Sequence, residues 1–230
     1  KTKKYILPTT LVLGLGMFFF SGAHEVVTWQ AIAANYASLN GFVETNLWLS
    51  YLIFMLGYAV VVAFSLPIAL PMTLTGGALL GWPAVILVIC GATAGAGVVF
   101  IAPRSFLADL LGARAGPFMA KLEAGFSRNS FYYLLSLRLI PVAPFWVVNI
   151  VSALTSMPLG TFLLATFIGI TPGTAVFISV GRGFDHILAT GQTPDLAVLT
   201  SAPIIIPLVG LGVLALLPVV FQRLTNGQKV

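Results

Sequence analysis

The chain from Leu66 to Trp82 reads LPIALPMTLTGGALLGW, an apolar stretch interrupted by two prolines and three glycines. Proline kinks or breaks a helix interior, so a continuous membrane-spanning helix does not ordinarily carry this density of breakers. Irregular backbone is tolerated inside a bilayer where protein or water covers it. The stretch therefore predicts a re-entrant arm that dips into the membrane and turns near Thr75-Gly76-Gly77.

A second stretch, from Phe131 to Met157, has the same character. Its interrupting residues in otherwise apolar sequence are Pro141, Pro144, Asn149, Ser152, Thr155 and Ser156. A helix broken there would again need protein or water around its free backbone groups. We therefore predict a second arm.

The two stretches align with each other. When LPIALP at 66–71 is laid over IPVAP at 140–144 with short gaps allowed, the paired prolines align, and Trp82-Pro83 falls beside Met157-Pro158. Two corresponding interrupted segments are typical of inverted-repeat transport proteins, whose site lies where the broken arms meet. A chance coincidence of prolines is the alternative, because membrane helices are rich in proline and glycine.

The composition is that of a membrane protein. Of 230 residues 59% are hydrophobic and 7% are charged, and the mean hydropathy is +1.04, whereas soluble domains carry roughly 25% charged residues. The formal net charge of +5 does not indicate nucleic acid, because most of the basic residues sit at the chain ends and in one interhelical stretch rather than along a polar face. The single cysteine, Cys90, excludes a disulfide or a cysteine-based zinc site within one chain.

Helical segments are predicted around the two arms. We expect a retained first helix rather than a cleaved signal peptide. The predictions are a first transmembrane helix at 5–20, an interfacial amphiphilic helix at 24–45, spans at 47–66, 83–101 and 158–180, an extramembrane segment at 104–129 and a last span at 197–221.

Arg138 is the first candidate for a functional residue, because it lies between apolar residues just before Pro141. A charge at the bilayer centre costs about 2.5 to 3.5 kcal/mol on insertion scales, so something must compensate it. A guanidinium suits a phosphate through two parallel donor bonds, which makes a lipid phosphate or another anion the functional hypothesis. The structural alternative is an arginine that reaches the interface or binds a helix-end carbonyl.

Four further residues carry weaker signals. The amide of Asn149 lies in apolar sequence and either lines a pathway or holds the turn of the second arm. Arg128 and Arg182 are predicted mainly as interfacial residues, with binding roles as the alternative. Glu44 is a candidate for proton coupling if it faces a cavity, and a position in the membrane interface is the alternative. The scattered acids and histidines form no catalytic or metal-ligating pattern, so we expect neither an enzyme nor a cofactor.

The run FYYLLSLRLIPVAPF at 131–145, followed by Asn149 and the stretch 169–183, resembles the VTT domain of the DedA-like superfamily. Eukaryotic members are often called SNARE-associated or vacuole-transport membrane proteins. The resemblance covers about 66–184 and implies two opposed re-entrant arms that move phospholipids or polyprenyl phosphates between leaflets. Arg138 matches the family arginine before the proline, and Arg128 resembles the upstream one.

The chain departs from many bacterial members at one point. Those proteins carry an acidic residue in the first arm after a Pro-Gly pair, where this chain reads PMTLT at 71–75. The departure puts proton-driven transport in doubt.

Together these observations predict an all-helical polytopic membrane protein with two inverted repeats, each a re-entrant broken helix plus a spanning helix. The expected division is 1–65 for the N-terminal helices, 66–184 for the core and 185–230 for a loop and the C-terminal span. The expected substrate-binding residues are Arg138, Arg128, Pro141, Pro144, Asn149, Gly76, Gly77, Pro67 and Pro71, with Arg182 and Glu44 as further candidates.

The predicted function is the movement of phosphate-bearing lipid headgroups between leaflets, in a bacterial cytoplasmic membrane. Membrane lipids with anionic headgroups are the expected partners, and the oligomeric state stays open. An ion-coupled carrier of a small solute and a membrane scaffold that recruits a partner through 104–128 are the alternatives.

Overall fold

The computed structural model of the protein describes residues 3–21, 29–104, 130–139, 143–184 and 209. Within these ranges every regular element is a helix, which confirms the prediction of an all-helical protein. The helices are α1 (Lys3–Phe20), α2 (Trp29–Thr45), α3 (Leu47–Ala63), α4 (Ala69–Leu80), α5 (Pro83–Arg104), α6 (130–139), α7 (Phe145–Ala153) and α8 (Leu159–Gly183).

Two of these helices, α5 and α8, are long and apolar enough to cross a membrane. A helix rises about 1.5 Å per residue and the hydrocarbon core is about 30 Å thick, so both helices have the required length. α2 and α3 meet at a bend of 118° and count as a third span if the bent pair is taken as one. The predicted spans at 83–101 and 158–180 are thus confirmed as membrane-length helices.

α3 ends at Ala63, three residues before the predicted end of its span. The N–H of Ser65 donates to the carbonyl of Val62, and the N–H of Leu66 donates to that of Val61. Ser65 has φ 54°, the left-handed conformation that completes this type of helix end. The bonds satisfy carbonyls that the last turn leaves free, so the chain can reverse at 64–68.

α3 and α5 run in the same direction, side by side. A Cβ added to Gly91 would lie 2.6 Å from the carbonyl oxygen of Met55, and a Cβ on Gly95 would meet that of Ala59. The contacts advance along both helices together, so the helices are parallel. α4 therefore carries the chain back from the end of α3 to the start of α5.

The predicted turn at Thr75-Gly76-Gly77 is wrong, because α4 continues through these residues. The glycines serve close packing instead: a Cβ on Gly77 would lie 2.5 Å from the carbonyl oxygen of Ile178. Pro71 is the third residue of α4. A backbone N–H at this position would have no acceptor within the helix, so the missing N–H of proline costs no hydrogen bond. The chain reverses at the two ends of α4 instead, at 64–68 and at Gly81, which has φ +65°.

α8 runs antiparallel to α5. Phe162 near the start of α8 stacks on Phe100 near the end of α5, with ring centroids 4.3 Å apart. At the opposite ends, the guanidinium carbon of Arg182 lies 5.0 Å from the ring of Trp82. Close packing of this kind holds helices together in lipid, where burial of apolar surface gives little driving force. It fixes α8 beside the other helices that form the site.

Some predictions concern segments that lie outside the described residues. They are the extramembrane segment predicted at 104–129, of which only Arg104 is described, most of the last span at 197–221, and the start of the interfacial helix before Trp29. α1 confirms a helix in the predicted first transmembrane segment, and α2 confirms a helix before the second. The membrane crossing of α1, the interfacial position of α2 and the domain boundaries stay predictions.

Candidate functional site

A cavity of ≈ 340 Å³ lies among α3, α4, α5, α6, α7 and α8. Cavities that hold small ligands typically measure about 300 to 1,000 Å³. Most of its lining is apolar, and the described polar side chains on its wall are Tyr58, Ser65, Thr73, Arg138 and Thr174. Arg138 is the one charged residue among the described lining residues, so it determines the electrostatic character of the cavity.

Arg138 lies near the end of α6 and reaches across to α7 and α8. Its Nη2 donates hydrogen bonds to Oδ1 of Asn149 at 2.6 Å and to Oγ1 of Thr166 at 3.1 Å. The guanidinium carbon lies 4.2 Å from the ring centroid of Phe145 and 5.6 Å from that of Phe162. These contacts are cation–π interactions, which strengthen when both groups are removed from water.

The contacts leave part of the guanidinium unsatisfied. Nε and Nη1 of Arg138 are buried and have no hydrogen-bond partner. A buried donor without a partner costs about 1 to 3 kcal/mol, and more where the group is charged. Glu44 is the single acidic residue in the described part of the chain, and there it accepts a hydrogen bond from Asn40 of the same helix at 2.8 Å. Arg138 is thus a buried cation with open donors.

Gly169 of α8 allows Arg138 to occupy this position. A Cβ on Gly169 would lie 2.5 Å from Cβ and 3.1 Å from Cγ of Arg138. Real side chains do not approach so closely, so only glycine lets α8 pack against the stem of the arginine. The close approach is made by the stem of Arg138, so Gly169 and Arg138 form the contact between α8 and α6.

Asn149 was predicted either to line a pathway or to hold a turn. It is completely buried in α7 and does not belong to the described wall of the cavity. Its Oδ1 accepts the hydrogen bond from Arg138, while its Nδ2 has no partner. Asn149 therefore holds the guanidinium of Arg138 in place and does not itself face the cavity.

The predicted prolines and glycines lie around the site rather than in it. Pro67 is exposed in the turn before α4, and Pro71 is in the first turn of α4. Pro144 is the residue that precedes α7. Gly76 and Gly77 are buried where α4 meets Phe54 and α8. They shape the helices that surround the cavity.

Arg182 and Glu44 lie apart from the cavity. Arg182 is exposed at the end of α8, beside Trp82. Glu44 is exposed on α2. Arg128 and Pro141 are outside the described residues.

Three features of the site carried no signal in the sequence. Thr166 is one of several threonines in α8, and membrane threonines usually bond their own helix, as Thr171 does to Phe167. Phe145 and Phe162 looked like ordinary apolar residues. The hydroxyl of Tyr58 lies 2.9 Å from Oγ1 of Thr73 on the wall of the cavity, a pair that no spacing rule links.

Comparison with known proteins confirms the resemblance. The VTT domain profile matches residues 66–183. Transmembrane protein 41 homolog of Caenorhabditis elegans is 26% identical over 170 residues, which cover 72% of this chain and 67% of the relative. Transmembrane protein 41B of Xenopus tropicalis is 28% identical over 171 residues, with coverages of 72% and 59%. The Transmembrane protein 41 homolog of Dictyostelium discoideum is 27% identical over 191 residues, with coverages of 80% and 55%.

The chain spans about 55 to 67% of the length of these three relatives. All three come from eukaryotes, so they give no support to a bacterial membrane, which stays a prediction. No solved structure matches the chain. The profile covers slightly more than half of the chain, and the relatives are named as transmembrane proteins, in agreement with the membrane-length helices α5 and α8. The chain is an integral membrane protein that belongs to the VTT domain family.

Proposed function

We propose that the protein lets phosphate-bearing lipid headgroups pass between the leaflets of a membrane through the cavity beside Arg138. The observation that carries this proposal is the buried guanidinium of Arg138, whose Nε and Nη1 have no partner. A phosphate oxygen is the type of acceptor that such donors bind best. The mostly apolar wall around a single cation suits a molecule with an anionic head and apolar tails.

The arrangement of the helices supports the same proposal. α4 has 12 residues and α7 has nine, so at about 1.5 Å per residue each is too short to cross the bilayer alone. α4 follows the turn at 64–68, and each short helix precedes a long one, α5 or α8. We take α3–α4 and α6–α7 as the two re-entrant arms of an inverted repeat, with the cavity where the arms meet.

Nothing in this transport requires a covalent step. The headgroup would exchange its hydration for the donors of Arg138, and its tails would stay in lipid. The described lining of the cavity carries one cation and no carboxylate, so no observation favours a proton-coupled carrier over lipid movement.

Purified protein reconstituted in liposomes tests the proposal. The vesicles contain fluorescently labelled phosphatidylglycerol in both leaflets, and a membrane-impermeant reductant bleaches the label in the outer leaflet. The fraction of the label that is bleached reports exchange of the lipid between leaflets. We expect wild-type vesicles to approach complete accessibility. We expect Arg138→Ala to slow the exchange by about tenfold or more, because a charge-assisted contact is lost.

Arg182→Ala is the matched control, because it removes the same charge from an exposed position outside the cavity. We expect it to retain most of the wild-type rate. Equal losses in both variants would show an effect of overall charge and contradict the role of Arg138. Wild-type vesicles no faster than protein-free vesicles would reject lipid movement.

A further inference from the structure

A pair of hydroxyl groups lies on the cavity wall in addition to Arg138. Tyr58 of α3 and Thr73 of α4 both line the cavity, and their hydroxyl oxygens are 2.9 Å apart. The carbonyl oxygen of Ala69, the first residue of α4, lies 2.8 Å from Oγ1 of Thr73 and 3.4 Å from the hydroxyl oxygen of Tyr58. Both side chains are buried. The function proposed above uses Arg138 and gives this pair no role.

The two hydroxyls have no hydrogen left to donate to a ligand. Each hydroxyl carries one hydrogen and can also accept through its oxygen. If Thr73 donates to Ala69 over the shorter distance, Tyr58 donates to Thr73. If Tyr58 donates to Ala69 instead, Thr73 donates to Tyr58. Both hydrogens are used in either arrangement, and the oxygen of Tyr58 keeps a lone pair, so the pair offers the cavity an acceptor.

Tyr58 lies at nearly the same depth among the helices as Arg138. A Cβ on Gly91 of α5 would lie 3.1 Å from Cβ of Tyr58, so α3 and α5 are in contact at these residues. Gly91 is midway between the two end contacts of α5 with α8, which places it level with position 172 of α8. That position is about 4.5 Å along the helix from Gly169, which packs against the stem of Arg138. Tyr58 and Arg138 therefore face one cavity from two helices at similar depth.

The cavity wall thus combines two kinds of hydrogen-bonding group. Nε and Nη1 of Arg138 are donors without a partner, whereas the oxygen of Tyr58 is an acceptor. A ligand that matches both must carry an anionic acceptor and a donor within one small group. A phosphate ester of an alcohol that has a further hydroxyl carries both, because the phosphate oxygens accept and the hydroxyl donates.

An ammonium group on the ligand would also donate to Tyr58, but it fits the cavity less well. The described lining residues include one cation, Arg138, and no carboxylate. Like charges repel each other more strongly in an apolar site than in water. A neutral hydroxyl donor avoids this repulsion.

We propose that Tyr58 is a headgroup-specificity residue of the cavity, and that its oxygen accepts a hydrogen bond from a hydroxyl of the alcohol that is esterified to the phosphate. The ligand class is a phosphate ester of a polyol such as glycerol. The proposal rests on the proposed function for the phosphate site at Arg138, but its test measures binding and needs no lipid movement. The ester belongs either to a lipid headgroup or to a soluble molecule, and the choice of probe separates the two.

The test compares two short-chain lipids that differ only in their headgroup hydroxyls. Dihexanoyl phosphatidylglycerol and dihexanoyl phosphatidylpropanol carry the same charge and a three-carbon headgroup alcohol, but the propanol headgroup has no free hydroxyl. Both lipids are titrated by calorimetry into the wild type and into Tyr58→Phe, in neutral maltoside detergent after removal of bound lipid. We expect the wild type to bind phosphatidylglycerol about fivefold more tightly than phosphatidylpropanol, because one further hydrogen bond forms. In Tyr58→Phe we expect the two dissociation constants to agree within about twofold.

Tyr51→Phe is the matched control, because it removes the same hydroxyl from the same helix at a position outside the described cavity wall. We expect it to keep the wild-type preference. If Tyr58 only supported the fold, its replacement would change the affinity for both lipids alike. The ratio of the two dissociation constants therefore separates recognition from a structural effect.

Glycerol 3-phosphate is the soluble probe. If the wild type binds it as tightly as dihexanoyl phosphatidylglycerol, the ligand is a polyol phosphate without a need for acyl chains. If it binds more weakly, the ligand is a lipid headgroup, in agreement with the mostly apolar wall. Both results are consistent with the acceptor role of Tyr58.

The inference is overturned if the wild type binds the two lipids equally or binds neither, if Tyr58→Phe keeps the preference, or if Tyr51→Phe loses it. The wild-type comparison is decisive even if Tyr58→Phe does not fold. If the preference appears in a protein that moves no lipid, the proposed function fails and the role of Tyr58 stands. If lipid exchanges between leaflets while the two lipids bind equally, the role of Tyr58 fails and the proposed function stands.

Discussion

The guanidinium of Arg138 on α6 donates from Nη2 to Oδ1 of Asn149 on α7 over 2.6 Å, eleven residues further along the chain. A guanidinium has two edges that offer parallel N–H bonds, and Nη2 belongs to both. With Nη2 held by Asn149 and Thr166, the predicted pair of parallel bonds to a phosphate is not open in this arrangement. Nε and Nη1 stay available as single donors. A headgroup held by single contacts is released more easily, which favours passage over trapping.

Asn149→Asp should weaken anion binding without unfolding the protein. The new carboxylate takes the place of Oδ1 and pairs with Arg138, so the net charge of the site falls to zero. We expect the dissociation constant for dihexanoyl phosphatidylglycerol to rise by at least about tenfold. The melting temperature should stay close to that of the wild type, and calorimetry with thermal melting measures both. Unaltered affinity in this variant would contradict the role of Arg138 as the anion-binding charge.

Gly169→Ala should weaken both the fold and the site. Its Cβ would lie 2.5 Å from Cβ of Arg138, so α8 or the arginine must move. Overpacking of this kind costs about 1 to 3 kcal/mol, and the misplaced guanidinium should slow lipid exchange. Gly160→Ala in the same helix meets nothing within 4 Å and is the control. There we expect unchanged exchange and a stability gain of up to about 1 kcal/mol. Equal melting temperatures for the two variants would argue against the close contact.

Gly77→Ala should separate α4 from α8. Its Cβ would lie 2.5 Å from the carbonyl oxygen of Ile178, and backbone atoms cannot give way as a side chain can. We expect a loss of about 1 to 3 kcal/mol, seen as a lower melting temperature in detergent. Gly57→Ala is the control, because its Cβ would lie 3.4 Å from the flexible end of Met72. If the melting temperature of Gly57→Ala falls by the same amount, alanine is destabilising at both glycines and the close contact at Gly77 is not the cause.

Cysteine accessibility tests the re-entrant arm. In a Cys90→Ala background, single cysteines replace Asn46, Pro67 and Trp82, and a membrane-impermeant maleimide is applied to either face. Because α3 and α5 are parallel, we expect positions 46 and 82 to react from the same face. Position 67 should react from neither face if the turn before α4 lies within the membrane, as the proposed re-entrant arm requires. If position 67 reacts from the opposite face, α3 and α4 each cross the bilayer and the arm is not re-entrant.

The sequence predicted the main participants of the site but not their arrangement. Arg138 and Asn149 stood out because a charge or an amide in apolar sequence needs a partner, and the structure pairs them with each other. Thr166 did not stand out, since a hydroxyl in a helix can bond its own backbone. Which hydroxyl does so depends on the neighbouring helices, and no local pattern carries that information.

The amino-acid sequence alone determined that the chain is helical, that it lies in a membrane, and that a helix ends shortly before Pro67. These properties follow from local chemistry: apolar composition, the missing N–H of proline, and the cost of charge in lipid. Only the tertiary structure decided that Gly76 and Gly77 lie inside a continuous helix, because a glycine permits a turn and a close helix contact equally well. It also decided that Arg138 is held between α7 and α8 with two nitrogens unpaired, since that depends on which helices meet.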